Sequence, residues 1–414
     1  MISGTTLSSY YPPPETRGGW RTSDPAKQGV NTKRLRETIE YHDKSPCTTS
    51  HGGAILIIHN GYIIGESYVT GSLGGPQPWT KDTCNDVKSS TKSVFGTAMG
   101  VFLDEYRDRV NLDTMLVGSS REDSLIPQIW DQPITDPRKK QIKIKHVISM
   151  TSGHESDEPW LAPSPRHRFE GYTGAYQMYE YCFGWWHFQD VPHHHKLLFE
   201  PGHGFNYSNF GLEQMALAMR NITGEMVGPY VYDRVLGEIG MPRGIRDNGY
   251  RDMVYNDPRE LNFSDEPGWG VGGSKGCNAY GADRSMSPIG YNTVVGSTFR
   301  CTARDFARLG YLWLNKGCWG EKQLVPEEWI KQATRRFVQA DGKSNNYGYT
   351  FWVQDEGENV PKDTYASRGH NINDCYVVPS LDLVVVRMGN DNPPRPERNK
   401  FVETVMEKIV EAIH

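Results

Sequence analysis

An Asn-Gly pair set between two β-rich runs constrains this chain more than any other local feature. Ala54–His59 precedes Asn60-Gly61, and Tyr62–Tyr68 follows it. Both central positions of a two-residue hairpin must reach φ > 0, which Asn and Gly do at low steric cost. The pattern therefore predicts an antiparallel hairpin near the N-terminus. The far end of the chain repeats the signal: Asp374–Val378 and Leu383–Met388 are β-rich, and Pro379-Ser380-Leu381-Asp382 makes the turn between them. After it, Phe401, Val402, Val405, Met406, Ile409, Val410 and Ile413 fall at the 3–4 spacing of one apolar helix face. A second helix is expected after Asn31, with Leu35 and Ile39 four apart.

Strands and helices at both ends can share one sheet, whereas the stretch from Ser89 to Thr302 carries helical patterns and loops with few strand signals. The expected fold is α/β (α+β): an antiparallel sheet flanked by N- and C-terminal helices, with an inserted, mostly helical domain. The expected divisions are an irregular arm over 1–30, a sheet domain from 31–88 plus 303–414, and the helical domain over 89–302. A chain of 414 residues has room for two core-sized units.

Charge and composition exclude several functions. The net charge is −5 without a basic run, which argues against a nucleic-acid or anionic-membrane partner. Apolar stretches such as Ala54–Ile58 fall far short of the roughly 20 residues a spanning helix needs. Met1–Gly18 lacks the basic start and apolar run of a signal peptide. The seven cysteines are scattered and never spaced C-x-x-C, which suits reduced thiols and a cytoplasmic location.

The chemistry centres on Ser89-Ser90-Thr91-Lys92. Val94, Phe95, Ala98, Met99 and Phe102 follow at helical spacing, so the motif opens a buried helix. Positions i and i+3 share a helix face, which brings the Lys92 amine to the Ser89 hydroxyl. A serine needs a base beside it to act as nucleophile, and lysine serves when its surroundings favour the neutral amine. At a helix start, the Ser89 N–H is also available to an oxyanion. A second motif, Tyr207-Ser208-Asn209, follows the Pro201-Gly202 turn and leads into an apolar helix with Leu212, Met215, Ala216 and Met219. The Tyr207 phenol is placed to move a proton, and the Asn209 amide to orient Lys92 and the substrate.

This pair resembles the penicillin-binding-protein and serine β-lactamase superfamily, in particular the β-lactamase-like esterases and the 6-aminohexanoate-dimer (nylon-oligomer) hydrolases. Ser149–His154, Ser297–Gly310 and Leu381–Val386 add to the likeness, which runs from about Gly53 to the C-terminus. The resemblance implies a β-lactamase/transpeptidase-like fold and a serine hydrolase acting through an acyl-enzyme. It places His370-Asn371-Ile372 on a strand edging the site. There His370 would flank the cleft, and the Asn373 N–H would be the second oxyanion donor. Ile372 stands where the family has glycine, which is expected to narrow the cleft and to weigh against β-lactam hydrolysis. His370 serves equally well as a hydrogen-bonded structural histidine. By the same resemblance Tyr172 or Tyr176, in an aromatic-rich stretch, would touch the substrate, with no choice between the two.

Other matches are turned down. Gly272–Gly276 fits G-x-S-x-G but lacks the strand and helix that a nucleophile elbow needs. His193-His194-His195 alternate in direction and read as a solvated loop, so no metal or cofactor is implied. The expected activity is cleavage of a small-molecule carboxylic ester or amide. An amidase or peptidase of short linear or D-amino-acid amides, an acyltransferase, and a non-catalytic penicillin-binding-like sensor are the alternatives. A homodimer is compatible with the sequence.

Overall fold

The computed structural model of the chain describes residues 10–73, 78–131, 134, 136–154, 196–225, 227–242, 295–296, 299–353, 357–391 and 393–414. Its largest feature is a six-stranded sheet. Strands β1 (Gly53–His59) and β2 (Tyr62–Val69) form the expected hairpin, with Asn60 at φ 52° and Gly61 at φ 72° in the turn. Two short pairs lie outside the sheet: β3 (Asn85–Asp86) with β4 (Arg300–Cys301), and β5 (Cys318–Trp319) with β6 (Lys322–Gln323). The sheet is completed by β7 (Trp352–Val353), β8 (Tyr365–Ser367), β9 (Asp374–Val378) and β10 (Leu383–Gly389). The order is β2-β1-β10-β9-β8-β7, and every neighbouring pair is antiparallel. Strands from the two ends of the sequence thus meet at β1 and β10, with Leu56 opposite Val386.

The helices used below are α1 (Thr32–Lys44), α2 (Thr91–Glu105), α3 (Asn209–Thr223), α4 (Ala303–Leu314) and α5 (Arg395–Ile413). Alternation along β1 explains how they pack. Ala54, Leu56 and Ile58 enter a core with Phe306 and Leu309 of α4, whereas Ile55 and Ile57 enter another with Leu35 of α1 and Phe401, Val405 and Met406 of α5. Both faces of the strand are covered, so β1 reads as a continuous apolar run rather than an alternating one. A slip of one residue would exchange these two sets, which fixes the register.

The N-terminal arm is tied to α4. Arg308 donates to Pro12 O at 2.8 Å, Pro13 O at 2.6 Å and Glu15 Oε1 at 2.9 Å, and Trp20 Nε1 donates to Arg304 O at 3.1 Å. Helix α2 runs through the interior, and Thr91 to Phe102 are all buried. The described cysteines, Cys47, Cys84, Cys301, Cys318 and Cys375, carry no disulfide. Among the described residues no helix is long and apolar enough to cross a membrane.

Candidate active site

The chain reaches Ser89 through a bend. Lys88 sits at φ 54°, in the left-handed region that side chains disfavour. Asp86 holds it there, accepting the Lys88 backbone N–H at 2.7 Å and its Nζ at 2.9 Å. A 3-10 turn over Lys88–Ser90 leads into α2, so Ser89 lies at the first turn, where an N–H has no carbonyl upstream in the helix. Neighbouring hydroxyls lock this start in place. Ser90 Oγ donates to Asn373 O at 2.6 Å, Ser367 Oγ donates to Ser90 O at 3.1 Å, and Thr91 Oγ1 donates to Lys88 O at 2.6 Å.

One turn on, Lys92 Nζ lies 3.0 Å from Ser89 Oγ and donates to Gly296 O at 2.6 Å. Lys92 is 1% exposed, so the amine meets Ser89 inside the protein rather than in bulk water. It also lies 4.8 Å from the centroid of the Tyr207 ring, within cation–π range. Tyr207 reaches this point because Met150 and His154 hold the residue before it. The Asn206 N–H donates to Met150 O at 2.9 Å, and Asn206 Nδ2 donates to His154 O at 2.7 Å. The Tyr207 ring stacks against Trp352 at 6.0 Å and meets Tyr347 edge-on at 6.2 Å. Burial, with Tyr207 beside it, raises the pKa of the Tyr347 hydroxyl well above its usual value, keeping that phenol protonated. A hydroxyl and an amine one helical turn apart therefore meet a phenol ring that lies more than a hundred residues further along the chain.

The β8–β9 connection departs from expectation in three ways. His370-Asn371-Ile372 forms a turn between the strands rather than part of a strand. Asn371 and Ile372 lie at φ 62° and 58°, and Ile372 is 1% exposed, packed with Val385 and Phe401 under α5. Its side chain enters the core, so it does not narrow the cleft. The Asn373 N–H, expected to receive an oxyanion, donates instead to Gly369 O at 3.3 Å. The Asn373 side chain is a clamp: Nδ2 donates to His370 O at 2.7 Å and Gly389 O at 3.0 Å, while Oδ1 accepts from Asn85 Nδ2 at 3.0 Å and the Gly389 N–H at 3.0 Å. His370 is half-buried, and burial, then the charges of Arg398 and Lys88, lowers the pKa of its imidazole and favours the neutral form. Gly369 matters for space, since a Cβ there would sit 2.1 Å from Val87 O, just ahead of Ser89.

Of the remaining sequence candidates, Asn209 begins α3 beside Gly296, while Tyr172 and Tyr176 lie outside the described residues, as do His193–His195 and Gly272–Gly276. Tyr347, Trp352, Ser367, Gly369 and Gly296 were not legible as site residues. Each comes from a segment whose local pattern carries no chemistry of its own, and tertiary packing alone brings it here.

Comparison with known proteins bears on this geometry. The family model described as Beta-lactamase matches residues 45–403. A penicillin-binding protein homolog from Caulobacter crescentus superposes with a TM-score of 0.62 at 15% identity, covering 95% of this chain and 99% of its own. A protein provisionally described as a 6-aminohexanoate-dimer hydrolase, from Bacillus anthracis, gives 0.61 at 18% identity, covering 99% of this chain and 91% of its own. A family VIII carboxylesterase gives 0.55 at 16% identity, covering 91% and 97%. At these identities the likenesses show the β-lactamase/transpeptidase-like fold. No curated protein sequence gives a significant match.

Proposed function

Because the chain belongs to the β-lactamase family, we propose that it is a serine hydrolase that cleaves a carboxylic ester or amide through an acyl-enzyme on Ser89. The single observation that carries this reading is the 3.0 Å contact between Ser89 Oγ and the buried Lys92 Nζ. In the first step Lys92, as the neutral amine, takes the hydroxyl proton while Oγ bonds to the substrate carbonyl carbon. The carbonyl oxygen becomes an oxyanion facing the Ser89 N–H at the start of the helix. The intermediate collapses, the bond to the leaving group breaks, and Tyr207 delivers a proton to the departing oxygen or nitrogen. Water then attacks the acyl-enzyme, giving its proton to the Tyr207 phenolate, and as the acid leaves Lys92 returns its proton to Ser89 Oγ, so that the hydroxyl, the neutral amine and the phenol are all restored.

An ester is the preferred substrate and an amide the second reading. The amide asks more of Tyr207, since an amine departs only once protonated. The described cysteines, free of disulfides, suit a cytoplasmic setting. The test uses p-nitrophenyl esters of increasing chain length alongside matched anilides. Ser89→Ala should abolish turnover of both, a fall of at least about a thousandfold in kcat. Turnover retained in that variant would remove Ser89 as the nucleophile. The ratio of ester to anilide rates in the native enzyme would decide between the two substrate classes.

A further inference from the structure

We infer that Glu213 is a positioning residue for Lys92, acting through the backbone of Gly296; the inference rests on Ser89 and Lys92 being the catalytic pair proposed above. Helix α3 starts at Asn209, two residues after Tyr207, and positions four apart lie on one helix face. Asn209 and Glu213 accordingly address the same piece of chain, Val295-Gly296. Glu213 is fully buried at 0% exposure, and its Oε1 accepts the N–H of Val295 at 3.0 Å and that of Gly296 at 3.0 Å. Asn209 closes the other side. A Cβ on Gly296 would stand 2.7 Å from Asn209 Oδ1 and 2.9 Å from its Cγ, so only glycine lets the backbone come this near. Held by one side chain and wedged against another, Gly296 presents its carbonyl oxygen to Lys92 Nζ at 2.6 Å.

The consequence for the reaction lies in how an amine must point. To take the Ser89 proton, neutral Lys92 must aim its one lone pair at Oγ, leaving two N–H groups to be placed elsewhere. Gly296 O accepts one of them and thereby sets the rotation about the Cε–Nζ bond. If the Gly296 carbonyl swings away, the lone pair no longer has a fixed direction. A displacement of about 1 Å at a catalytic group from a remote change can cost around a hundredfold in rate. The two bonds from Glu213 Oε1 go to the backbone of Val295 and Gly296, and the Gly296 carbonyl carries their effect to Lys92. The part of Glu213 is to hold the acceptor that holds the base, and it does so from the helix that also carries Asn209 and follows Tyr207.

The experiment compares Glu213→Met, which removes the acceptor at similar volume, with Glu213→Gln, which keeps an oxygen in place. Two readouts are taken: the rate at which a fluorophosphonate labels Ser89, located by peptide mass spectrometry, and kcat and KM on a p-nitrophenyl ester. The Met variant should label and turn over about 10- to 100-fold more slowly with KM within about threefold of native, while the Gln variant keeps at least about a third of the native rate. A folded Met variant labelling within about twofold of native would overturn the inference, and so would a Gln variant as slow as Met. If the Met variant does not fold, Glu213→Asp, whose oxygen is drawn back by one methylene, should show a loss of at least about tenfold, and a native rate there would also overturn it. Native enzyme that takes no label at Ser89 would instead remove the nucleophile, a result distinguishable from a failure of Glu213 alone.

Discussion

The start of α2 and the β8–β9 turn lie side by side, joined where Ser90 Oγ meets Asn373 O at 2.6 Å, yet they keep their shapes by different means. At the helix start, the spacing of hydroxyl and amine comes from its own sequence, although Ser90 is also tied to Asn373 and Ser367. Three residues of helix carry Lys92 from Ser89 to the opposite end of a 3.0 Å contact, and Asp86, only two residues before Lys88, fixes the bend that precedes it. The turn depends on a residue from another strand. Arg387 of β10 is 2% exposed, and its guanidinium donates to Asn371 O at 2.5 Å, to Ile372 O at 3.2 Å and to Cys47 O. Burial lowers the pKa of that guanidinium to about 10, so it stays charged at neutral pH while holding carbonyls rather than a carboxylate. The hydroxyl–amine pair is thus placed by local helical geometry, and the turn beside it by a side chain reaching over from the neighbouring strand. Left-handed backbone occurs on both sides, at Lys88 and at Asn371-Ile372, where each residue costs about 1–2 kcal/mol that the surroundings must offset.

Three substitutions would break or sharpen this contrast. The largest effect is expected on the helix side. Lys92→Ala should lower kcat/KM on p-nitrophenyl esters by about a thousandfold, roughly 4 kcal/mol of barrier, and a loss under tenfold would remove Lys92 as the base. Next comes Arg387→Met, which leaves carbonyls of the turn without a donor but also relieves the burial of a charge. Urea unfolding should show a net loss of about 2–3 kcal/mol; unchanged stability would mean that the turn holds without its clamp. The smallest effect is expected for Ile372→Gly. Glycine relieves about 1–2 kcal/mol of left-handed strain, but removing a buried isoleucine costs about 2–5 kcal/mol, so the variant should be less stable by about 2 kcal/mol, the difference of the two midpoints. Ester kcat should stay within about threefold of native, because the side chain packs under α5. A marked rise in activity toward bulky esters would instead place Ile372 at the cleft.

Much of the frame could be read in advance because its signals are short-range. Asn60-Gly61 lies in the turn between β1 and β2 at the two positive φ values it was expected to need. Phe401, Val402, Val405, Met406, Ile409 and Val410 are buried on the face that their spacing marked. The β8–β9 turn was misread as strand because two non-glycine residues in the left-handed region are rare, and nothing in His370-Asn371-Ile372 announces that Arg387, fifteen residues past Ile372, supplies the donors. Ile372 was likewise assigned to the cleft from the family pattern, whereas the packing of α5 on the sheet turns it inward.

By itself the sequence determined what a few bonds of separation can settle: the hairpin, the apolar helix faces, and an amine one turn from a hydroxyl. A helix repeats every 3.6 residues whatever surrounds it, so such neighbours follow from spacing alone. Only the tertiary structure decided that the Tyr207 ring stands 4.8 Å from Lys92, that Gly296 O accepts from the amine, and that a buried glutamate anchors Gly296. Those partners lie more than a hundred residues from Lys92, where no local periodicity relates them and only the fit of packed surfaces fixes their distance.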